Sequence, residues 1–535
     1  MKCLLVAPRF SDFSYWNYRE VCELFGARYP AAPLGLITVA ALLPRDWDVR
    51  LLDLNVREMD LGLLEWADLV LAGGMVPQQQ PLLALIDLCH AHGKRIAVGG
   101  QDPTSQPEIY AAADYLVLDE GEMTIPTFLA DLAAGATHGT YRSDEKPDVT
   151  ASPTPRFELL ELDKYLHIGV QFSRGCPFNC EFCDIIELYG RKPRTKTPEQ
   201  VLRELDALHA LGYKGHVDFV DDNFIGNKKS VMAFLPHLLA WSRAHGFPFY
   251  FSTEASLNIA DDPKLLAMME AVDFRYVFVG IETADKELLV RTQKKQNTRN
   301  PIDEAVHRLN AHGMVVTAGF ILGFDGEARG AAASIIDCVE GAGIPMAMVG
   351  LLTALPHTQL TRRLAREGRL ADTVLRQLPG DVDQATSGLN FTPSRPRAEI
   401  LADFASVLRH LYSAKSYFDR VRGIGRRLRR RPKQVGTTRG IPHELRALGR
   451  LVWRLGFARA TAWYFWRNVV LVLATRPSNF EATMHLMALF IHFDRHTRFV
   501  LDGLDRRRAS DDVGVVAEPA HVTGAEVVHG AADVA

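Results

Sequence analysis

The chain has 535 residues, 47% apolar and 23% charged, with a net charge of −3. This is an ordinary globular composition with core enough for several domains, and the near-neutral balance excludes a chain drawn to nucleic acid by bulk charge. Seven cysteines, an odd number, with three inside eight positions, exclude a disulfide framework and read as metal or redox chemistry in a reduced, cytoplasmic setting.

The opening MKCLLVAPRF is too brief an apolar run for a signal peptide, and no stretch of about 18 uncharged apolar residues predicts a spanning helix. Residues 1–140 alternate strands (KCLLVAP, DVRLLDLNV, ADLVLAGGMV, KRIAVGG, DYLVLDEGE) with helices (LGLITVAALLP, QPLLALIDLCHAHG). That pattern predicts a doubly wound, mostly parallel, Rossmann-like sheet that binds its ligand beyond the strand carboxyl ends. The loops there are rich in Gly, Gln and Pro and nearly free of Lys and Arg, which suits a large, mostly neutral ligand; no G-x-G-x-x-G is present.

A Pro- and charge-rich linker is expected over 141–162. Six strand–helix units over 163–375 are too few for eight-stranded closure and predict an open, partial (β/α)6 barrel with its chemistry at the strand carboxyl ends. Residues 376–508 form a C-terminal helical region. It contains RVRGIGRRLRRR, with seven Arg in twelve residues, and the aromatic GFARATAWYFWRNVVLVLATRP. The stretch 509–535, without Lys or Arg, is expected to be a disordered tail.

The stretch SRGCPFNCEFCD follows the first barrel strand and spaces its cysteines C-x3-C-x2-C. Structural zinc closes with four protein ligands, so a distant His would be needed. An iron–sulfur cubane held by three Cys leaves one iron open to a small molecule. With Phe182 before its third Cys, the motif resembles that of the radical S-adenosylmethionine (SAM) enzymes. The resemblance implies that Cys176, Cys180 and Cys183 hold a [4Fe–4S] cluster whose open iron binds SAM. Reductive cleavage of SAM then gives a 5′-deoxyadenosyl radical. Asp221, Asp222 and Asn223 would meet the methionine ammonium, or else form an Asx-type turn. Glu254, Glu282 and the glycines Gly319 and Gly323 would line SAM, or else serve barrel packing.

A doubly wound domain ahead of such a barrel is similar to that of the cobalamin-binding, class B, radical SAM enzymes. Gly99, Gly100 and Gly121 would admit the corrin tail. Met75, Gln78, Gln79 or Gln80 would lie under the ring, or belong to a solvated loop; the D-x-H-x-x-G motif that supplies a cobalt-ligating His elsewhere is absent. KKQNT and MVGLLTALPHTQLTRRL resemble the branch that includes the hopanoid C-2 methylase.

The resemblance implies a SAM- and cobalamin-dependent C-methyltransferase acting on an unactivated carbon of a small molecule or polycyclic lipid. A flavodoxin- or ferredoxin-type reductant would serve it, and Tyr189 and His357 are candidate substrate contacts. Radical cyclisation or rearrangement with the same cofactors is the alternative. The Arg-rich stretch and the aromatic helix after it are candidates for peripheral contact with an anionic membrane, or for packing on the barrel.

Overall fold

The computed structural model describes residues 1–370, 388–429 and 441–512, with side chains from 507 onward and at 441–442 left out. The first sheet has strands β1 (Lys2–Ala7), β3 (Asp48–Asp53), β4 (Leu69–Gly73), β5 (Arg95–Gly99), β6 (Tyr115–Val117) and β7 (Gly139–Tyr141), with β2 (Tyr29–Ala31) lying elsewhere. All pair in parallel, in the order β3-β1-β4-β5-β6-β7. Alternate residues of β1 enter different cores, Leu4 and Val6 on one face and Cys3 and Leu5 on the other. Helices therefore cover both faces, as a doubly wound sheet requires.

The second sheet joins β2 to β8 (Tyr165–Val170), β11 (Gly215–Phe219), β12 (Phe249–Ala255), β13 (Phe274–Glu282), β14 (Val315–Leu322) and β15 (Met346–Leu351); β9 (Ser173–Arg174) and β10 (Arg194–Thr195) form a separate two-stranded ribbon. Its order is β15-β14-β13-β12-β11-β8-β2, again parallel throughout. The six expected barrel strands are present, and β2 adds a seventh, with Tyr29 opposite Tyr165.

The front domain is consequently not continuous over 1–140. Between β1 and β3 the aromatic stretch around Tyr15 leaves the first sheet and buries itself against the barrel and the last helix. Phe13 stacks on Phe499 at 3.8 Å, Tyr15 lies 5.0 Å from Phe493, and Trp16 lies 5.3 Å from Phe278 of β13. The linker region also begins inside structure, since β7 ends at Tyr141 and extends the first sheet.

Side chains alternate across a strand. In the barrel, Ile168, Val217, Phe251 and Val277 are buried under the outer helices, while His167, His216, Tyr250, Glu254 and Phe278 face the lumen and keep accessible surface. The helices Arg397–Leu411, Ala414–Arg427, Ala462–Thr475 and Phe480–Asp512 close on this body. Tyr412 Oη donates to the Ala347 carbonyl at 2.6 Å, and Arg275 at the start of β13 approaches Glu481 at 3.8 Å.

The Arg-rich stretch begins inside this packing. Arg420 is 3% exposed and pairs with Glu340 at 2.6 Å, so it is a barrel contact and not a membrane contact. Residues 430 and 431 of that stretch, and the expected tail from 513 on, lie outside the described residues; 509–512 continue the last helix.

Candidate active site

The cysteine loop leaves β8 and is tied to the end of β11 by two adjacent carboxylates. Asp221, fully buried, accepts from the backbone N–H groups of Phe172 and Ser173, both at 2.8 Å, and from the Ser173 hydroxyl at 2.6 Å. Asp222 accepts from Gly175 N–H at 2.8 Å. Burial, and then Asp222 beside it, pushes Asp221 up to about 7; burial pushes Asp222 up to about 6. Asp221 thus turns both oxygens back on the loop, and Asp222 is the one of the pair with an oxygen left over.

Gly175 sits at φ +90°, and a Cβ there would come 2.8 Å from the Gly190 carbonyl. Only glycine makes this turn without strain. Two amides then point at the sulfurs, Asn223 Nδ2 at 3.8 Å from Cys176 Sγ and Gln296 Nε2 at 3.7 Å from Cys180 Sγ. Burial pushes all three thiols up, and the Lys294 ammonium acts against it at Cys176 and Cys180. Lys294 is paired with Glu282 and stands 5.8 Å from the Phe182 ring.

A half-buried loop with amide donors and one cation beside three cysteines suits metal-bound sulfur and not bare thiolates. Among the described residues no three His, Cys, Asp or Glu side chains converge on a single ion. Three cysteines spread around a cubane each bind a different iron, so the donor set fits a cluster.

The predicted contacts divide. Glu282 ends β13 at the strained φ of +68°, beside Cys180 and paired with Lys294. Glu254 ends β12 in the lumen; burial, then Asp218 and Asp222, pushes it up to about 8. A Cβ on Gly319 would come 3.1 Å from Phe278 Cζ, and Gly323 lies at φ +100° against Leu389, so both glycines serve close packing. Lys294 and Gln296 carry the electrostatics and were not singled out in the sequence, although KKQNT contains both.

In the front domain Met75 is 43% exposed at the end of β4, beside the reversal of strand order between β1 and β4. Gln78 binds its own loop, accepting from Met75 N–H at 3.2 Å and donating to the Pro8 carbonyl at 2.7 Å. Gln79 is buried on Asp102 at 3.0 Å, while Gln80 is exposed. A Cβ on Gly99 would meet the Val117 carbonyl at 2.4 Å and one on Gly100 the Gly74 backbone at 3.0 Å; Gly121 opens the helix Gly121–Ala133 against Leu42. The glycines at 99 and 100 thus let neighbouring backbone loops close on one another.

The strand ends of this domain face the cysteine loop. Arg174 bonds Glu120 and Glu122, both at 2.8 Å, and Arg194 bonds Glu120 at 2.7 Å. Gln101 donates to Tyr189 Oη at 3.2 Å, and His357 Nε2 lies 2.9 Å from the Ser105 carbonyl. Tyr189 and His357 are therefore parts of the domain junction.

The barrel, the three-cysteine loop and the doubly wound domain set against it define a radical SAM enzyme, and residues 170–339 match the Radical SAM superfamily. Residues 358–506 match a domain of unknown function, DUF4070. The chain is 44% identical over 504 residues to an uncharacterized methyltransferase of Synechocystis sp., covering 94% of this chain and 92% of that one. It is 35% identical over 478 residues to the hopanoid C-2 methylase of Rhodopseudomonas palustris, covering 87% and 88%. The chain belongs to this family of radical SAM methyltransferases. Its fold is that of OxsB, a cobalamin-dependent SAM radical enzyme solved with aqua-cobalamin, at TM-score 0.59 and 16% identity over 97% of this chain and 82% of that one. The methyltransferase TsrM of Kitasatospora setae gives 0.55 and 17%, covering 69% and 76%.

Proposed function

We propose that the chain is a cobalamin-dependent radical SAM C-methyltransferase acting on an unactivated carbon of a polycyclic lipid. One observation carries the reading: the strand ends of the doubly wound domain are pinned over the cysteine loop through Arg174, Glu120 and Glu122. The relation to a hopanoid C-2 methylase over most of both chains supports the substrate class. When bound, cluster and SAM supply a hydrogen-abstracting radical and cobalamin supplies the methyl group.

The chain's own residues do the rest. Cys176, Cys180 and Cys183 hold the cluster, Asn223 and Gln296 hydrogen-bond its sulfur ligands, and Asp222 presents an acceptor for the SAM ammonium. Glu282 and Lys294 fix charge beside the cluster, and Met75 offers an apolar surface to the corrin. Val220, Trp16 and Phe278 give the lumen an apolar wall beside Glu254. A flavodoxin- or ferredoxin-type protein supplies electrons, and the enzyme works at the inner face of the membrane.

The test is anaerobic reconstitution with iron, sulfide and hydroxocobalamin, followed by SAM, reductant and a hopanoid extract. The expected products are 5′-deoxyadenosine, S-adenosylhomocysteine and methylated lipid, all lost when the three cysteines become Ala. Deoxyadenosine without S-adenosylhomocysteine would replace methylation by a cyclisation or rearrangement; intact SAM would reject the radical reading.

A further inference from the structure

The C-terminal region carries a surface that its own fold leaves uncovered. The helix Ala462–Thr475 is apolar on two sides. Phe465 and Val472, with Asn468, pack inward. Trp463, Trp466, Val470 and Leu473 recur at helical spacing on the opposite side and are exposed, Trp463 to 71%. The neighbouring helix Ile441–Leu451 and the π-helical turn Val452–Gly456 add Trp453 at 74%, and Phe457 follows at 66%. Trp466 Nε1 donates to the Gly456 carbonyl at 2.9 Å, which joins the two pieces into one face.

Six arginines lie between 441 and 479 against a single acid, Glu444. Arg467 pairs with Asp419 and Arg450 donates to the Glu23 carbonyl. Arg446, Arg454, Arg459 and Arg476 are exposed and make no ion pair among the described residues.

We infer that this face, from Leu445 to Leu473, docks in the plane of an anionic lipid bilayer. Tryptophan and phenylalanine suit the headgroup boundary, where one side of a ring is wet and the other apolar. Unpaired arginines beside them complement anionic headgroups, and a protein partner would have to match an almost acid-free surface. The helix Ala462–Thr475 is too short to cross a bilayer, and no described helix is long and apolar enough to do so. An amphipathic segment of this kind lies in the interface. The face also adjoins the aromatic segment that carries Trp16 to Phe278: a groove of about 440 Å³ runs between Leu24, in the helix after Trp16, and Trp453. The inference does not depend on which lipid, if any, is methylated.

The test is flotation of the full chain with vesicles of phosphatidylglycerol and phosphatidylcholine, against phosphatidylcholine alone, at low and high salt. Binding is expected only with the anionic lipid and is expected to weaken with salt. Val470→Asp and, separately, Trp463→Ala with Trp453→Ala should each reduce the bound fraction ~10-fold while circular dichroism stays unchanged. Equal binding to both vesicle types, or none to either by the wild-type chain, overturns the inference. So does a stable dimer in solution that Val470→Asp dissociates, because the face would then cover a second copy. If a variant fails to fold, the lipid and salt dependence of the wild-type chain still decides.

Discussion

Arg174 Nη2 lies 2.8 Å from Glu122 Oε1, so the residue two places before Cys176 is gripped by the other domain. The same guanidinium reaches Glu120, and Arg194, directly opposite Arg174 in the ribbon, bonds Glu120 as well. All four side chains are largely buried. The cluster loop and the domain above it are thus positioned by one shared ion network.

Breaking that network by Arg174→Ala leaves buried Glu122 without its cation, while Arg194 still pairs with Glu120. The expected cost is about 3 kcal/mol, as for removing one partner of a buried ion pair. Denaturant unfolding of the iron-free protein should show a lower midpoint at unchanged slope. An unchanged midpoint would mean the domains are held by other contacts.

The same pair has a pH signature. Burial opposes ionisation of Glu122, but the Arg174 guanidinium outweighs it and holds the carboxyl at about 2, against 4.5 for an ordinary one. A depressed carboxyl stabilises the fold above its unfolded value and loses that contribution as pH falls. Stability should therefore decline from pH 4.5 toward 2, and Glu122→Gln should flatten that part of the profile. Thermal unfolding scans of both proteins across that window check it.

Gly175→Ala should abolish cluster assembly while leaving the fold largely intact. The added Cβ meets three backbone carbonyls, of residues 190, 189 and 192, at a φ of +90° that costs of order 1–3 kcal/mol for a side chain. Iron and sulfide content after reconstitution is the readout, and a full complement would refute the argument.

Much of this architecture is legible in the residues themselves. Cys176, Cys180 and Cys183 sit within one loop, so their coming together shows in the spacing itself. The barrel strands are long enough for their alternation to show. What stays hidden depends on distant partners. β2 is three residues long, without periodicity, and its place beside β8 follows from tertiary burial of the aromatic stretch before it. Asp221 and Asp222 are identical in kind, yet the backbone turns one onto Ser173 and leaves the other an open oxygen. Lys294 belongs to the cysteine pocket only because β13 and the turn after it return there.

Lys294→Met should alter the cluster's electronics without removing a ligand. The ammonium stands against Phe182 and favours the ionised form of the nearby thiols, so it favours the added electron as well. Its loss should move the reduction potential negative and slow SAM cleavage roughly 10-fold, the range for groups that support metal ligands. Redox titration followed by electron paramagnetic resonance measures the first and deoxyadenosine release the second. Lys294→Arg, which keeps the charge, should restore most of the potential, whereas a purely structural role would show no such rescue.

Glu254 makes the lumen pH-sensitive. It keeps accessible surface, yet the barrel surrounds it, and burial with Asp218 and Asp222 nearby raises it to about 8. A carboxyl raised in this way favours its neutral form near pH 7, which would be compatible with an apolar substrate against Phe278 and Trp16. A raised carboxyl contributes stability below its unfolded value and loses it as pH rises through its folded value. As pH passes about 8 the side chain should ionise, hydrate the lumen and lower the yield of methylated product per deoxyadenosine formed. Glu254→Gln, neutral at every pH, should keep that ratio level from pH 7 to 9. A wild-type ratio that is already flat, or a Gln variant that still falls at about 8, would assign the step to another group.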